Sequence, residues 1–367
     1  MSLAEDCLLI QLLSGCRKIE SFTLAEWDLI IRQARVSKLV AGLAGYIDDV
    51  DVIPQQVMNH IQSVCRQAER TKLSAQYEIE LIEAIAKWVN FPVIILKGAA
   101  YVIRNYSAGE GRLFSDVDIL VPKKHVYELE NKFVEKGWYG EKLHPYDQKY
   151  YRKWMHELPP LTNSRTGSSL DLHHNILPET ADIKTNVSLM IGDAIPVEGY
   201  RNIYTFSPCD IVLHSLTHLF HEGEFDHGLR DLLDVHRLVA SFVEIDDQFW
   251  SKVLARAYQL NLSLPLFYGV RYLRLLLKTK IPNFVIESLQ EKHGCNHRIM
   301  DFLFTRALMP NHISCDDAFS GISRWCLYVR SHYLRMPAYL LIPHLLRKAY
   351  MKRVEKSDLS PDEKTNG

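Results

Sequence analysis

The chain has 367 residues, 47% of them hydrophobic and 24% charged, with a formal net charge of −1. That is enough apolar material for a sizeable core, gives a prior of two or three domains, and excludes a chain disordered throughout. Without a basic excess, composition offers no reason to expect a nucleic-acid partner. The seven cysteines form no CxxC pair, which argues against a disulfide framework and for a reducing compartment, the cytoplasm. The apolar run 7–13 follows Glu5 and Asp6, where an export signal carries Lys or Arg. The most apolar C-terminal stretch, 339–346, is too short to span a bilayer and contains Pro343 and His344.

Residues 1–90 read as a helical region. From 55 to 90 there is no Gly and no Pro; Val57, Ile61, Val64 and Ala68 recur at three- and four-residue spacing, as do Leu81, Ile85 and Trp88. This predicts one or two long helices with an apolar stripe. The pattern changes at Phe91. Pro92 ends the helix, and the β-branched run 93–96 predicts a buried strand. Lys97-Gly98-Ala99-Ala100 opens a helical stretch to about Tyr106, and 107–111 is a loop. A second strand over 117–121 is closed by Pro122, and a helix over 125–136 is ended by Gly137. An extended segment over 154–161, turn residues 163–167 and a strand over 168–176 predict a hairpin, so the sheet is mixed.

Ser207 suits a helix N-cap, with Pro208 and Asp210 behind it. Helical patterns continue from there with breaks near Gly223, Pro265, Pro282, Gly294, Pro310 and Pro337. The polar tail 355–367 is predicted disordered. The fold class is therefore α+β: a small mixed sheet over 91–205, helical regions over 1–90 and 206–354, and the tail.

The sharpest chemical signal is Ser115-Asp116-Val117-Asp118-Ile119. On a strand, residues two apart share a face, so Asp116 and Asp118 stand together while Val117, Ile119 and Val121 turn to the core. Paired carboxylates repel, a cost offset by binding hard cations or sharing a proton; the bland alternative is a solvated strand end. Asp171 alternates with apolar neighbours on the next predicted strand. If the two strands pair, three carboxylates converge in a set suited to two metal ions and an in-line displacement on a nucleoside triphosphate. His173, on the face of Asp171, either contacts substrate or is a hydrogen-bonded sheet histidine, and His174 reads as the latter. Upstream, Lys97-Gly98 is either a strand–helix turn or a place where phosphate approaches backbone N–H groups.

The strings LKGAAYVIRNY, GRLFSDVDILV and SLDLHHNI resemble the bacterial family described as uncharacterised nucleotidyltransferases, a branch of the polymerase-β-like superfamily. The resemblance runs to about residue 240 and more loosely beyond. It implies transfer of a nucleoside monophosphate from a triphosphate, ATP by abundance, to an unidentified small-molecule or protein acceptor, with pyrophosphate leaving. It also implies that Asp116, Asp118 and Asp171 bind two Mg²⁺ ions, with Mn²⁺ as an alternative, and that Asp171 acts as base. Lys97 and Gly98 would lie against the triphosphate, with Arg112 and Ser115 flanking; a structural ion pair is the other reading of Arg112. The wider superfamily has Gly-Ser or Gly-Gly where this chain has Gly98-Ala99, so a catalytically degenerate binding protein is the alternative.

His214, His218 and His221 fall on one helix face, followed by Asp226, His227, Arg230, Asp231 and Asp234. Two readings come from the residues, helix packing or an independent metal site, although no HEXXH glutamate is present; the resemblance implies a third, an acceptor pocket involving His173, His214, His218, Arg230 and Asp234. His293, Cys295 and His297 read as structural.

Overall fold

A computed structural model describes residues 3–341 apart from 48, 115, 141–143, 222, 338 and 340. The predicted tail over 355–367 therefore lies outside the described residues, as does the end of the C-terminal helical region.

The N-terminal part carries α1 (Leu3–Asp6), α2 (Leu8–Leu13), α3 (Leu24–Val36) and α4 (Gln55–Ala86). Thr23 and Glu26 form a reciprocal capping box that starts α3. The long apolar stripe becomes a single helix of 32 residues, α4, which buries Val57, Ile61, Ala68, Ile82 and Ile85. Trp88 departs from the expected stripe: α4 has already ended, and Trp88 is 72% exposed while Val89 is buried instead.

Next come β1 (Val93–Ile95), α5 (Lys97–Ile103), β2 (Asp116–Leu120), α6 (Val126–Glu135), β3 (Trp138–Gly140), α7 (Pro145–Trp154), β4 (Leu161–Asn163), β5 (Ser169–His173), α8 (Val187–Gly192), β6 (Ile195–Pro196) and β7 (Ile203–Thr205). The strands form one mixed sheet in the order β3-β4-β5-β2-β1-β7-β6. The expected hairpin is present as the antiparallel pair β4–β5. The expected extended segment over 154–161 is corrected. Pro145 at the first turn, with His144 accepting from the Tyr146 N–H, drives a helix to Trp154, and the strand begins only at Leu161. Between them, Glu157 makes an isolated antiparallel bridge with His173. Strands of two or three residues such as β3, β6 and β7 are too short for sequence periodicity to register.

The C-terminal helices are α9 (Pro208–His221), α10 (Gly228–Ile245), α11 (Phe249–Gln259), α12 (Ser263–Leu277), α13 (Asn283–His293), α14 (Arg298–Ala307) and α15 (Ser320–Arg335). Pro265 does not break α12. It falls in the first turn, where no intrahelical partner awaits its missing N–H. One hydrophobic core runs from Cys7 to Leu327 and joins sheet and helices. Tyr101 Oη shares a 2.7 Å hydrogen bond with Ser215 Oγ, tying α5 to α9. Arg237 of α10 donates to the Gly42 carbonyl at 2.7 Å. These links tie α9 to α5 and α10 to the segment after α3.

Asn202 joins the sheet edge to α4. It sits at φ +65° and donates from Nδ2 to the carbonyls of Ala86, Val89 and Phe91 at 2.9, 3.1 and 2.8 Å. Asn202→Ala should cost about 3 kcal/mol in urea unfolding, since it removes a donor from three carbonyls, of which, among the described residues, only Ala86 keeps another partner, the Val89 N–H, and puts Ala in the left-handed region. A change below about 0.5 kcal/mol would show that water replaces the side chain at no cost.

Candidate functional site

The site begins with the pairing of β2 and β5. These strands run parallel, with Asp116 opposite Ser169 and Asp118 opposite Asp171. Because alternate residues share a face, Asp116, Asp118 and Asp171 meet. Their ligand oxygens, one from each, all lie within 4.8 Å of one another. Asp116 is exposed, Asp171 partly so, and Asp118 is buried.

Electrostatics divides the three. Burial opposes ionisation of Asp118, but Lys97 and His173 outweigh it and hold its carboxyl well below the usual carboxylate range. Lys97 Nζ is 3.2 Å from Asp118 Oδ2. Asp171 goes the other way: burial, then the charges of Asp118 and Glu157, push it up to about 7. Its Oδ1 is buried without a hydrogen-bond partner among the described residues. Like charges packed this closely, with an unsatisfied buried oxygen, fit a divalent cation bound through oxygen. Such a cation would be held by Asp116, Asp118 and Asp171.

The carboxylates line a cavity of about 450 Å³ together with Lys97, Gly98, Arg112, Glu157, His218 and Arg230. Lys97 occupies the left-handed region at φ +46°. Gly98 is required by space: a Cβ there would lie 2.6 Å from Arg112 Nε and 3.0 Å from Phe114 Cε1. Arg112 is ion-paired with Asp234 of α10 and lies 3.7 Å from Asp231, so the salt-bridge reading describes its position here. Asp234 lines the same cavity. Ser115 lies outside the described residues.

The histidines separate. His218 reaches the cavity, as do His227, Asp231 and Arg230, which donates to Asp231 at 2.8 Å. His214 is buried edge-on against Phe206 and does not line the cavity. His221 Nδ1 lies 3.1 Å from the Thr217 carbonyl. Among the described residues, His214, His218 and His221 make no converging metal set, and neither do His293, Cys295 and His297. His174 is buried but is not the hydrogen-bonded sheet histidine expected: it lies just past the end of β5, its Nδ1 3.7 Å from Glu179 and without a hydrogen bond among the described residues. His173 is buried beside Asp118 and Glu157, 3.5 Å from each, rather than lining the cavity. Sequence reasoning missed Glu157, a further carboxylate in the cavity whose charge bears on Asp171. The available signal was its place in the segment expected to pair with the strand that carries His173.

His221 supports a pH prediction. Burial, then Arg330, lowers it from 6.5 to about 4. The unfolded chain therefore binds a proton that the folded chain refuses, so this contribution to stability is present above pH 6.5 and lost as pH falls towards 4. The loss should be about 1.4 kcal/mol per pH unit in that window. His221→Gln should flatten the stability slope by one proton; an unchanged slope would assign it to other groups.

A larger apolar cavity of about 540 Å³ lies between α12 and α13, but its carboxylate, Asp301, is occupied by Arg271 at 2.5 Å. Among the described residues no helix is long and apolar enough to cross a membrane. No curated protein and no solved structure is detectably similar to the chain. A family model described as "Uncharacterised nucleotidyltransferase" matches residues 23–278. The match spans the sheet, the aspartate cluster and the helices that wall its cavity, and the chain belongs to that family.

Proposed function

We propose that the protein transfers a nucleoside monophosphate from a nucleoside triphosphate, ATP in the first instance, to a small-molecule or protein acceptor. The observation that carries this reading is the meeting of Asp116, Asp118 and Asp171 on paired strands beside the Lys97-Gly98 turn. Mg²⁺ bound there would neutralise triphosphate charge and stabilise the leaving pyrophosphate. The chain's own groups do the rest. Gly98 keeps the turn free of a Cβ, and Lys97 brings a cation to the same wall. Asp171 takes the proton of the acceptor hydroxyl as its oxygen attacks the α-phosphorus and the bond to pyrophosphate breaks. Arg230, His218 and Asp234 line the same cavity and are proposed to meet the acceptor.

A second reading, a nucleotide-binding protein without transfer, is favoured by Gly98-Ala99 standing where the wider superfamily has Gly-Ser or Gly-Gly. Lys97 and Arg112 already stand against Asp118 and Asp234, and a triphosphate would have to compete for both. Calorimetry of Mg²⁺–ATP decides first. Binding that needs Mg²⁺ and disappears in the Asp116→Asn/Asp118→Asn double variant supports a triphosphate at this site. Pyrophosphate release then separates transfer from binding alone. If no common triphosphate binds, both readings fail.

A further inference from the structure

A second set of ligand atoms converges next to the aspartates. His156, Glu157 and His173 each offer one, all within 4.8 Å of one another. We propose that these three residues bind a borderline divalent transition cation of the zinc class, at a position distinct from the aspartate cluster.

The backbone holds the set in place. After α7 ends, the segment 156–158 is pinned to β5 and the turn after it. The His156 carbonyl accepts from the N–H groups of His174 and Asn175 at 2.8 and 3.2 Å, and the Leu158 N–H donates to the Leu172 carbonyl at 2.9 Å. Glu157 and His173 face each other across the antiparallel bridge. Glu157 Oε2 lies 3.5 Å from His173 Nε2 and 3.9 Å from His156 Nε2. Ligands about 2.0–2.1 Å from a tetrahedral cation are separated by about 3.4 Å, so the observed spacing closes onto a metal with small side-chain movements.

Each imidazole also carries one buried ring nitrogen without a hydrogen bond among the described residues. His173 is 4% exposed at its side chain, and its Nε2 has no hydrogen-bond partner among the described residues. Nδ1 of His156 is likewise buried without a hydrogen bond, whereas its Nε2 is the nitrogen 3.9 Å from Glu157. Buried ring nitrogens left unpaired are costly, and a cation is a partner that several can share. Two imidazoles and one carboxylate with open positions suit transition cations rather than Mg²⁺, which prefers an all-oxygen shell. The aspartate cluster is all oxygen, so the two sets divide cations by ligand type. They adjoin at two residues: Glu157 bears on Asp171 through its charge, and His173 Nε2 is also 3.5 Å from Asp118 Oδ1. A cation on the histidines therefore sits beside Asp118 and can tune how that carboxylate is held.

The test uses the full chain stripped with chelator and titrated with Zn²⁺ in excess Mg²⁺, followed by X-ray absorption of the one-to-one complex. The expected result is one Zn²⁺ per chain with two imidazoles in its shell. Glu157→Gln should weaken binding roughly 100-fold, and Asp116→Asn should leave it unchanged. Absence of Zn²⁺ binding would overturn the proposal. So would a shell of oxygens alone, or loss of binding in Asp116→Asn, since either puts the cation on the aspartates. If Glu157→Gln fails to fold in chelator, the imidazole count in the wild-type complex decides. None of these outcomes depends on nucleotidyl transfer, so this inference and that reading can fail separately.

Discussion

Asp171→Asn should lower nucleotidyl transfer about a thousandfold, roughly 4 kcal/mol of transition-state stabilisation, yet raise the melting midpoint measured in chelator. Both effects come from one carboxylate. Burial and the charges of Asp118 and Glu157 lift Asp171 from 3.8 to about 7, so the fold disfavours its ionised form. The sign follows. Below about pH 4 the group is protonated in folded and unfolded chains alike and costs nothing. As pH rises through about 7 the folded chain must accept an ionised carboxylate beside two others, and stability falls. An amide removes that charge with little change of shape, so its gain, about 1–2 kcal/mol, should appear at pH 8 and fade at pH 4. Saturating Mg²⁺ should reverse the order, stabilising wild type and not the variant. Transfer is read as Mg²⁺-dependent pyrophosphate release from ATP with a metabolite pool as acceptor. A variant that keeps wild-type release, or melts lower at every pH, would remove Asp171 from the assigned role.

Arg256→Ala should cost about 3–5 kcal/mol of stability, the largest loss expected from any ion pair here. Asp210, in the first turn of α9, has no exposed side-chain surface. Arg256 of α11 grips it with Nε and Nη2, both at 2.8 Å. The same guanidinium donates to the Leu189 carbonyl at 3.1 Å and meets Asp193 at 2.9 Å, so one side chain joins α8, α9 and α11. Removing it strands a carboxylate where water cannot reach. The loss is then a desolvation penalty rather than the worth of the pair, and this makes a distinguishing prediction. Replacing both partners by Leu and Met should recover most of the stability that Arg256→Ala loses. Urea unfolding of the two variants reads this directly. A double variant no more stable than the single would mean that the links to Leu189 and Asp193 carry the energy. Since α9 presents His218 and Ser215 to the cavity, the single variant should also weaken Mg²⁺–ATP binding.

Much of the chemistry was legible in the residue order. Alternation alone put Asp116 and Asp118 on one face of a strand, because side chains on an extended chain repeat every two residues. Apolar spacing announced α4, and the turn residues 163–167 announced the β4–β5 hairpin. These features are local, so nearby residues suffice to specify them. Tertiary structure alone decided the rest. Whether Asp171 stood opposite Asp118 depended on the register between two strands about fifty residues apart, which no local pattern encodes. The partners of Arg112 come from α10, the pairing of Arg256 with Asp210 joins two helices, and His173 is set between Asp118 and Glu157 by a bridge between separate segments. The chain by itself determined which groups could bind a cation. Packing determined which of them meet, because charge and coordination depend on distances of a few ångströms that only the folded core sets.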